Sequence, residues 1–122
     1  MQDPTRPRVL QFVESPAFSR VREDYLDDNG FRQLQAGIAG NPDSGDLIPG
    51  AGGVRKLRWK DARRGKGKRG GLRVIYYSFL SEEEIWLMSL NDKDEVSDLS
   101  KAQKEQLKSA LEAERAVRRA RR

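Results

Sequence analysis

RKLRWKDARRGKGKRGGLRVIYY, residues Arg55 to Tyr77, reads as two β-strands joined by a glycine-rich basic loop. In the first strand, Val54 to Lys60, alternation puts Leu57 and Trp59 on one face and Lys56, Arg58 and Lys60 in a row on the other. The second, Leu72 to Leu80, is rich in β-branched and aromatic residues. Arg73, Ile75, Tyr77 and Phe79 share one of its faces; Leu72, Val74 and Tyr76 share the other. Such a hairpin belongs in an antiparallel sheet, where a strand can have one packed face and one wet face. The stretch carries Lys or Arg at 55, 56, 58, 60, 63, 64, 66, 68, 69 and 73 against a single acid, Asp61. A hairpin of that charge is suited to phosphate.

Outward from the hairpin, Ser81 to Glu83 reads as an acidic turn and EIWLMSL, Glu84 to Leu90, as a further strand. Ser100 with Gln103 forms a capping box. The helix it opens shows Leu107, Ala110, Leu111 and Val117 on one face, and its end, RAVRRARR, is expected to fray. Upstream, Val9 to Val13 is a short strand. Ser15 followed by Pro16 starts a helix, since Ser caps free N–H groups and Pro has none to lose. Phe18, Val21, Tyr25 and Leu26 line one side of it. Asp28 is the expected cap of a second helix with Phe31, Leu34 and Ile38 inward, stopped at Gly40, Asn41 and Pro42. Residues 41–53 read as a loop. The order is β-α-α-β-β-β-α, a small α/β (α+β) domain with a mostly antiparallel sheet and an N-terminal helical hairpin.

The chain has 122 residues, enough for one domain with one modest core. Residues 1–7 and 115–122 are expected as flexible tails. Net charge is only +5, yet 15 of 24 basic residues lie in 55–73 and 115–122, so the cations are segregated. Segregation of that kind points to a nucleic-acid or ribosome partner; plain solubility is the alternative. There is no Cys and no His, which excludes disulfides, thiol nucleophiles and imidazole acid–base chemistry and leaves Lys, Arg, Tyr and carboxylates. No cofactor and no metal are expected. No apolar run is long enough to span a bilayer, and MQDPTRPR lacks the apolar core of a signal peptide, so a cytoplasmic location is expected.

The row Lys56, Arg58, Lys60 fits a polyanion lying across it, and also a solvated sheet edge. Arg73 is a lone cation in an otherwise apolar strand. It calls either for a ligand or for a structural partner such as Asp92 or Asp94. The loop RRGKGKRGG lacks the GxxxxGK[ST] spacing of a P-loop. Its cations, Arg63, Arg64, Lys66, Lys68 and Arg69, fit a phosphate nest as well as a solvated turn. Tyr77, on the Arg73 face, is the tyrosine placed to meet a base.

GDLIPGAGGVRKLRWKDARRGKGKRGGLRVIYY, Gly45 to Tyr77, resembles the HigB-like branch of the RelE/ParE toxin superfamily, as does IWLMSLNDKDEVSDLSKAQKEQLK downstream. The resemblance covers roughly residues 8–112 and implies a microbial-RNase-like domain. It implies the toxin of a type II toxin–antitoxin pair: a metal-independent, ribosome-dependent mRNA endonuclease acting in the A site, neutralised by a HigA-like helix-turn-helix antitoxin. It assigns catalytic roles to Lys56, Arg58, Arg73 and Lys93. Lys56 is the candidate base. Lys60, Arg63, Arg64, Lys66, Lys68, Arg69 and Tyr77 are left as RNA contacts. Asn91 and Leu99 stand where family members carry aromatics, so base stacking is left unassigned, with Tyr77 or Trp59 as substitutes only if exposed. Two other readings stay open: a non-cleaving inhibitor like the ParE gyrase poisons, and a nonspecific RNA-binding module.

Overall fold

The computed structural model describes residues 9–62, 71–92 and 99–121. Its elements run β1 (Gln11–Glu14), α1 (Pro16–Tyr25), α2 (Asp28–Gly40), β2 (Asp46–Leu47), β3 (Arg55–Trp59), β4 (Leu72–Phe79), a 3₁₀ turn (Leu80–Glu82), β5 (Glu84–Asn91) and α3 (Lys101–Ala120). The five strands form one sheet in the order β1-β5-β4-β3-β2. Only β1 and β5 run parallel; the other pairs are antiparallel. The domain is α+β. It differs from the expected order by β2, which lies where a loop was expected and pairs Asp46 with Lys56 and Leu47 with Arg55.

Alternation along β4 divides the interior. Leu72, Val74 and Tyr76 join Phe18, Leu26, Leu34 and Ile38 beneath the helical hairpin. Ile75 and Phe79 join Ile48, Val54, Met88 and Leu111 beneath α3. Each fully buried large apolar side chain contributes on the order of 1.5–3 kcal/mol. Ser15 caps α1 by accepting from the Phe18 N–H, and its hydroxyl donates to the Met88 carbonyl at 2.8 Å. Helix α2 is capped by Asp27, one residue before the expected Asp28. The Asp27 carboxylate accepts from the Gly30 N–H at 2.7 Å.

Strand β5 contains a bulge. Ile75 pairs with Ser89 and Tyr76 with Leu87, so Met88 is an extra residue. An extra residue shifts the alternation that follows it. Leu90 therefore pairs with Val74, on the helical-hairpin side, and Asn91 pairs with Arg73, on the α3 side.

Loop 41–47 is tied to the sheet by Tyr76, which is fully buried. Its hydroxyl donates to the Pro42 carbonyl (2.8 Å) and accepts from the Gly45 N–H (3.0 Å). A Cβ on Gly45 would lie 3.0 Å from the Tyr76 ring and 3.1 Å from the Lys56 carbonyl, so a larger residue would require these neighbours to give by a few tenths of an ångström. Arg55 bonds the same loop, at the Gly45 carbonyl (2.7 Å) and the Asp43 carboxylate (3.2 Å). It is a structural cation, on the opposite face from Lys56.

The C-terminal end corrects the sequence expectation. Residues 115–120 are helical, not a frayed tail. The inward face of α3 runs through Leu107 and Leu111 to Arg118; Ala110 is exposed and Val117 is 46% exposed. Arg118 is 6% exposed. It bonds Glu82, Glu84 and Glu114, and its guanidinium lies 3.8 Å over the Phe79 ring. Burial alone would lower its pKa. The hydrogen bonds and charges of Glu84 and Glu82 outweigh burial, and the pKa is raised above its ordinary value. The reason for the correction is electrostatic: an arginine takes a core position when carboxylates converge on it. Residues 1–7 lie outside the described residues.

Candidate functional site

Register brings the cations together. Arg58 lies directly opposite Arg73, and Arg73 opposite Asn91, giving a row across β3, β4 and β5. One pleat further, Lys56 lies opposite Ile75 on one side and Asp46 on the other. Arg58, Arg73, Asn91 and Lys56 thus occupy the α3 face of the sheet. Arg58 is exposed, Arg73 and Lys56 are half-buried, and Lys60, just past β3, is exposed.

Directly opposed like charges destabilise a ladder, so this row works against the fold. Among the described residues Arg73 Nε is buried with no hydrogen-bond partner, and so is Asn91 Oδ1 beside it. An orphaned buried polar atom costs on the order of 1–3 kcal/mol, and functional sites are where such atoms concentrate. Asp92 accepts from the Tyr25 hydroxyl (3.4 Å), on the helical-hairpin side. Asp94, Lys93 and the loop cations Arg63, Arg64, Lys66, Lys68 and Arg69 lie outside the described residues.

Tyr77 does not join the row. It lies four residues along β4 from Arg73, about 13 Å at strand rise. It packs edge-on to Phe79 at 4.7 Å, and its hydroxyl accepts from Arg115 at 2.6 Å. Trp59 is excluded by the pleat: it packs into the helical-hairpin core, against Gly37. Trp59 thus lies on the face away from Arg73, whereas Tyr77 shares the Arg73 face with its hydroxyl held by Arg115.

Three residues of this surface escaped the sequence reading. Asn91 arrives through the Met88 bulge, and Asp46 through the unforeseen β2. Lys104, in the first turn of α3, lines a cavity with Lys56. A Gly-Asp-Leu-Ile-Pro run just before a basic strand was the available signal for β2.

The chemistry available is cationic. Two guanidinium groups and an amine on one face neutralise a phosphodiester, and a guanidinium can grip two of its oxygens at once. Among the described residues no three carboxylates converge to hold a metal ion, and no helix is long and apolar enough to cross a membrane.

No protein-family model matches the chain. Among solved structures it is similar to a chain of the crystal structure of the intact E. coli RelBE toxin–antitoxin complex, at 12% sequence identity and a TM-score of 0.48, over 70% of this chain and 98% of that one. A likeness of that size identifies neither family nor activity.

Proposed function

We propose that this chain is the toxin of a type II toxin–antitoxin pair and cuts mRNA on the ribosome, in the cytoplasm, until a HigA-like antitoxin masks it. The observation that carries the reading is the Arg58–Arg73–Asn91 row, held beside Lys56 against its own electrostatic cost. The HigB-like sequence between Gly45 and Tyr77 supports the same reading.

In this mechanism the ribose 2′-oxygen attacks the adjacent phosphorus. The 2′-O–P bond forms, the P–O5′ bond breaks, and the products are a cyclic phosphate and a 5′-hydroxyl. Arg73 grips the non-bridging oxygens, where charge builds in the transition state, and Arg58 adds a second cation. Lys56 takes the 2′-proton, and the leaving 5′-oxygen takes a proton from water. Lys93, which the sequence resemblance assigns, supplies further charge for the transition state. The ribosome holds the message in line for attack. Lys60 and the loop cations track the RNA backbone.

A second reading is favoured by one observation. Tyr77 and Trp59 both lie off the row, so no aromatic among the described residues is set to splay a base there. A non-cleaving inhibitor, in the manner of gyrase poisons, needs none.

The deciding experiment is induction of the wild type and of Arg73→Ala, with primer extension on one message in translated and untranslated forms. Cuts confined to the translated form, and absent in the variant, are expected. Growth arrest with intact mRNA would overturn the nuclease reading.

A further inference from the structure

Beside the cationic row lies a cavity of about 220 Å³ between β2, β3 and the start of α3. Leu47, Pro49 and Leu99 are apolar wall residues, and Asp46, Lys56 and Lys104 are its charged ones. We propose that this cavity is a nucleotide subsite that takes a guanine base, with Lys104 and Lys56 on the flanking phosphate. The inference rests on the reading of the chain as an RNA-directed protein, and names the part of the substrate it selects.

Size comes first. Drug-sized ligands occupy pockets of roughly 300–1,000 Å³; this one suits a single planar ring system. Pro49 and Leu99 give the cavity an apolar wall. Charge comes second. Among the described residues that line the cavity two are lysines, and an ammonium group attracts phosphate.

Asp46 supplies direction. An ionised carboxylate only accepts hydrogen bonds. Among the nucleobases, guanine presents two adjacent donors, N1–H and the N2 amino group, which match two carboxylate oxygens. Adenine and cytosine present one donor beside an acceptor, and uracil one donor between two acceptors. Asp46 therefore favours guanine over bases that offer it only one donor.

Both walls are held in place beforehand. Asp46 follows Gly45, whose N–H donates to the buried Tyr76 hydroxyl and whose carbonyl accepts from Arg55. Lys104 sits just beyond a complete capping box, in which Gln103 N–H donates to the Ser100 hydroxyl and Ser100 N–H to the Gln103 side chain. Preorganised walls reduce the ordering cost of binding. Lys56 belongs to both cavity and row, and it lies about 7 Å along β3 from Arg58. A strand with its base in the cavity thus has its neighbouring phosphate within reach of Arg58 and Arg73.

The test is a backbone-amide NMR titration of the full chain with GMP, AMP, CMP, UMP and inorganic phosphate. GMP should shift the amides of Asp46, Leu47, Leu99 and Lys104 and bind about tenfold more tightly than the other nucleotides. Asp46→Asn should keep binding and lose the preference for guanine; Lys104→Ala should weaken all four nucleotides. Shifts no larger than those from inorganic phosphate, or equal shifts with every nucleotide, would overturn the inference. In the primer-extension assay, Asp46→Asn should change which nucleotide flanks the cut. Guanine-selective binding by a chain that leaves translated mRNA intact would sustain the subsite and remove the nuclease reading. Arg73-dependent cutting at unchanged positions in both variants would do the reverse.

Discussion

Arg58 and Arg73 face each other directly across the β3–β4 ladder. Two cations at that separation oppose pairing, and Arg73 Nε is buried without a hydrogen-bond partner among the described residues. A fold selected only for stability would place a neutral or acidic residue at one of these positions.

Removing that repulsion should therefore stabilise the protein while disabling it. Arg58→Ala should raise unfolding stability by about 0.2–1 kcal/mol, the range of a cross-strand pair. The same variant should lose about a hundredfold or more in cleavage rate, as expected for a group that stabilises transition-state charge. Urea unfolding and single-turnover cleavage check the two effects. A loss of stability would show that Arg58 has a structural partner.

Arg118 is expected to matter far more to stability than its place near the end of the chain suggests. Arg118→Met leaves Glu82, Glu84 and Glu114 without their shared cation and should cost about 3 kcal/mol. Its pKa is raised, so its contribution is fully present below the unfolded-state value and is lost only as pH rises through the still higher folded one. The difference between wild type and variant should then stay flat from about pH 7 to 10. Denaturation curves at several pH values test this; a difference that shrinks in that range would contradict it.

Tyr77→Phe removes the hydroxyl that accepts from Arg115. It should cost about 1 kcal/mol in stability and leave the cleavage rate and cut sites unchanged. A large fall in rate at unchanged stability would put Tyr77 on the RNA after all.

Tyr76→Phe should act through loop 41–47. It leaves the Gly45 N–H and the Pro42 carbonyl without the phenol and should cost about 1–3 kcal/mol. Faster amide exchange at Gly45 and Asp46 should accompany it. Unchanged exchange there would mean that Arg55 alone holds the loop.

Alternation alone was enough to divide β4 into its two faces and to put Lys56 and Arg58 together on one face of β3; that Arg73 shares their face is decided by the β3–β4 register. A two-residue period is a local steric property of extended backbone, carried by each strand on its own. The Ser15–Pro16 start and the Ser100–Gln103 box were equally local, because a cap joins atoms three residues apart. Trp59 was assigned by that period to the face of Leu57, although which face would be covered by helices was not in the strand.

The rest depended on partners distant in sequence. The Met88 bulge exists relative to β4 and is invisible in β5 alone; its consequence is that Asn91 sits beside Arg73. Strand β2 is two residues long and forms because Tyr76 and Arg55 pull loop 41–47 onto β3, which is how Asp46 comes to lie opposite Lys56. Arg118 reads as one more cation of a basic tail until three glutamates from elsewhere meet it. Backbone periodicity and capping are short-range and therefore legible in order along the chain. Register, burial of charge and the walls of a cavity are sums over residues that only folding brings within a few ångströms of each other.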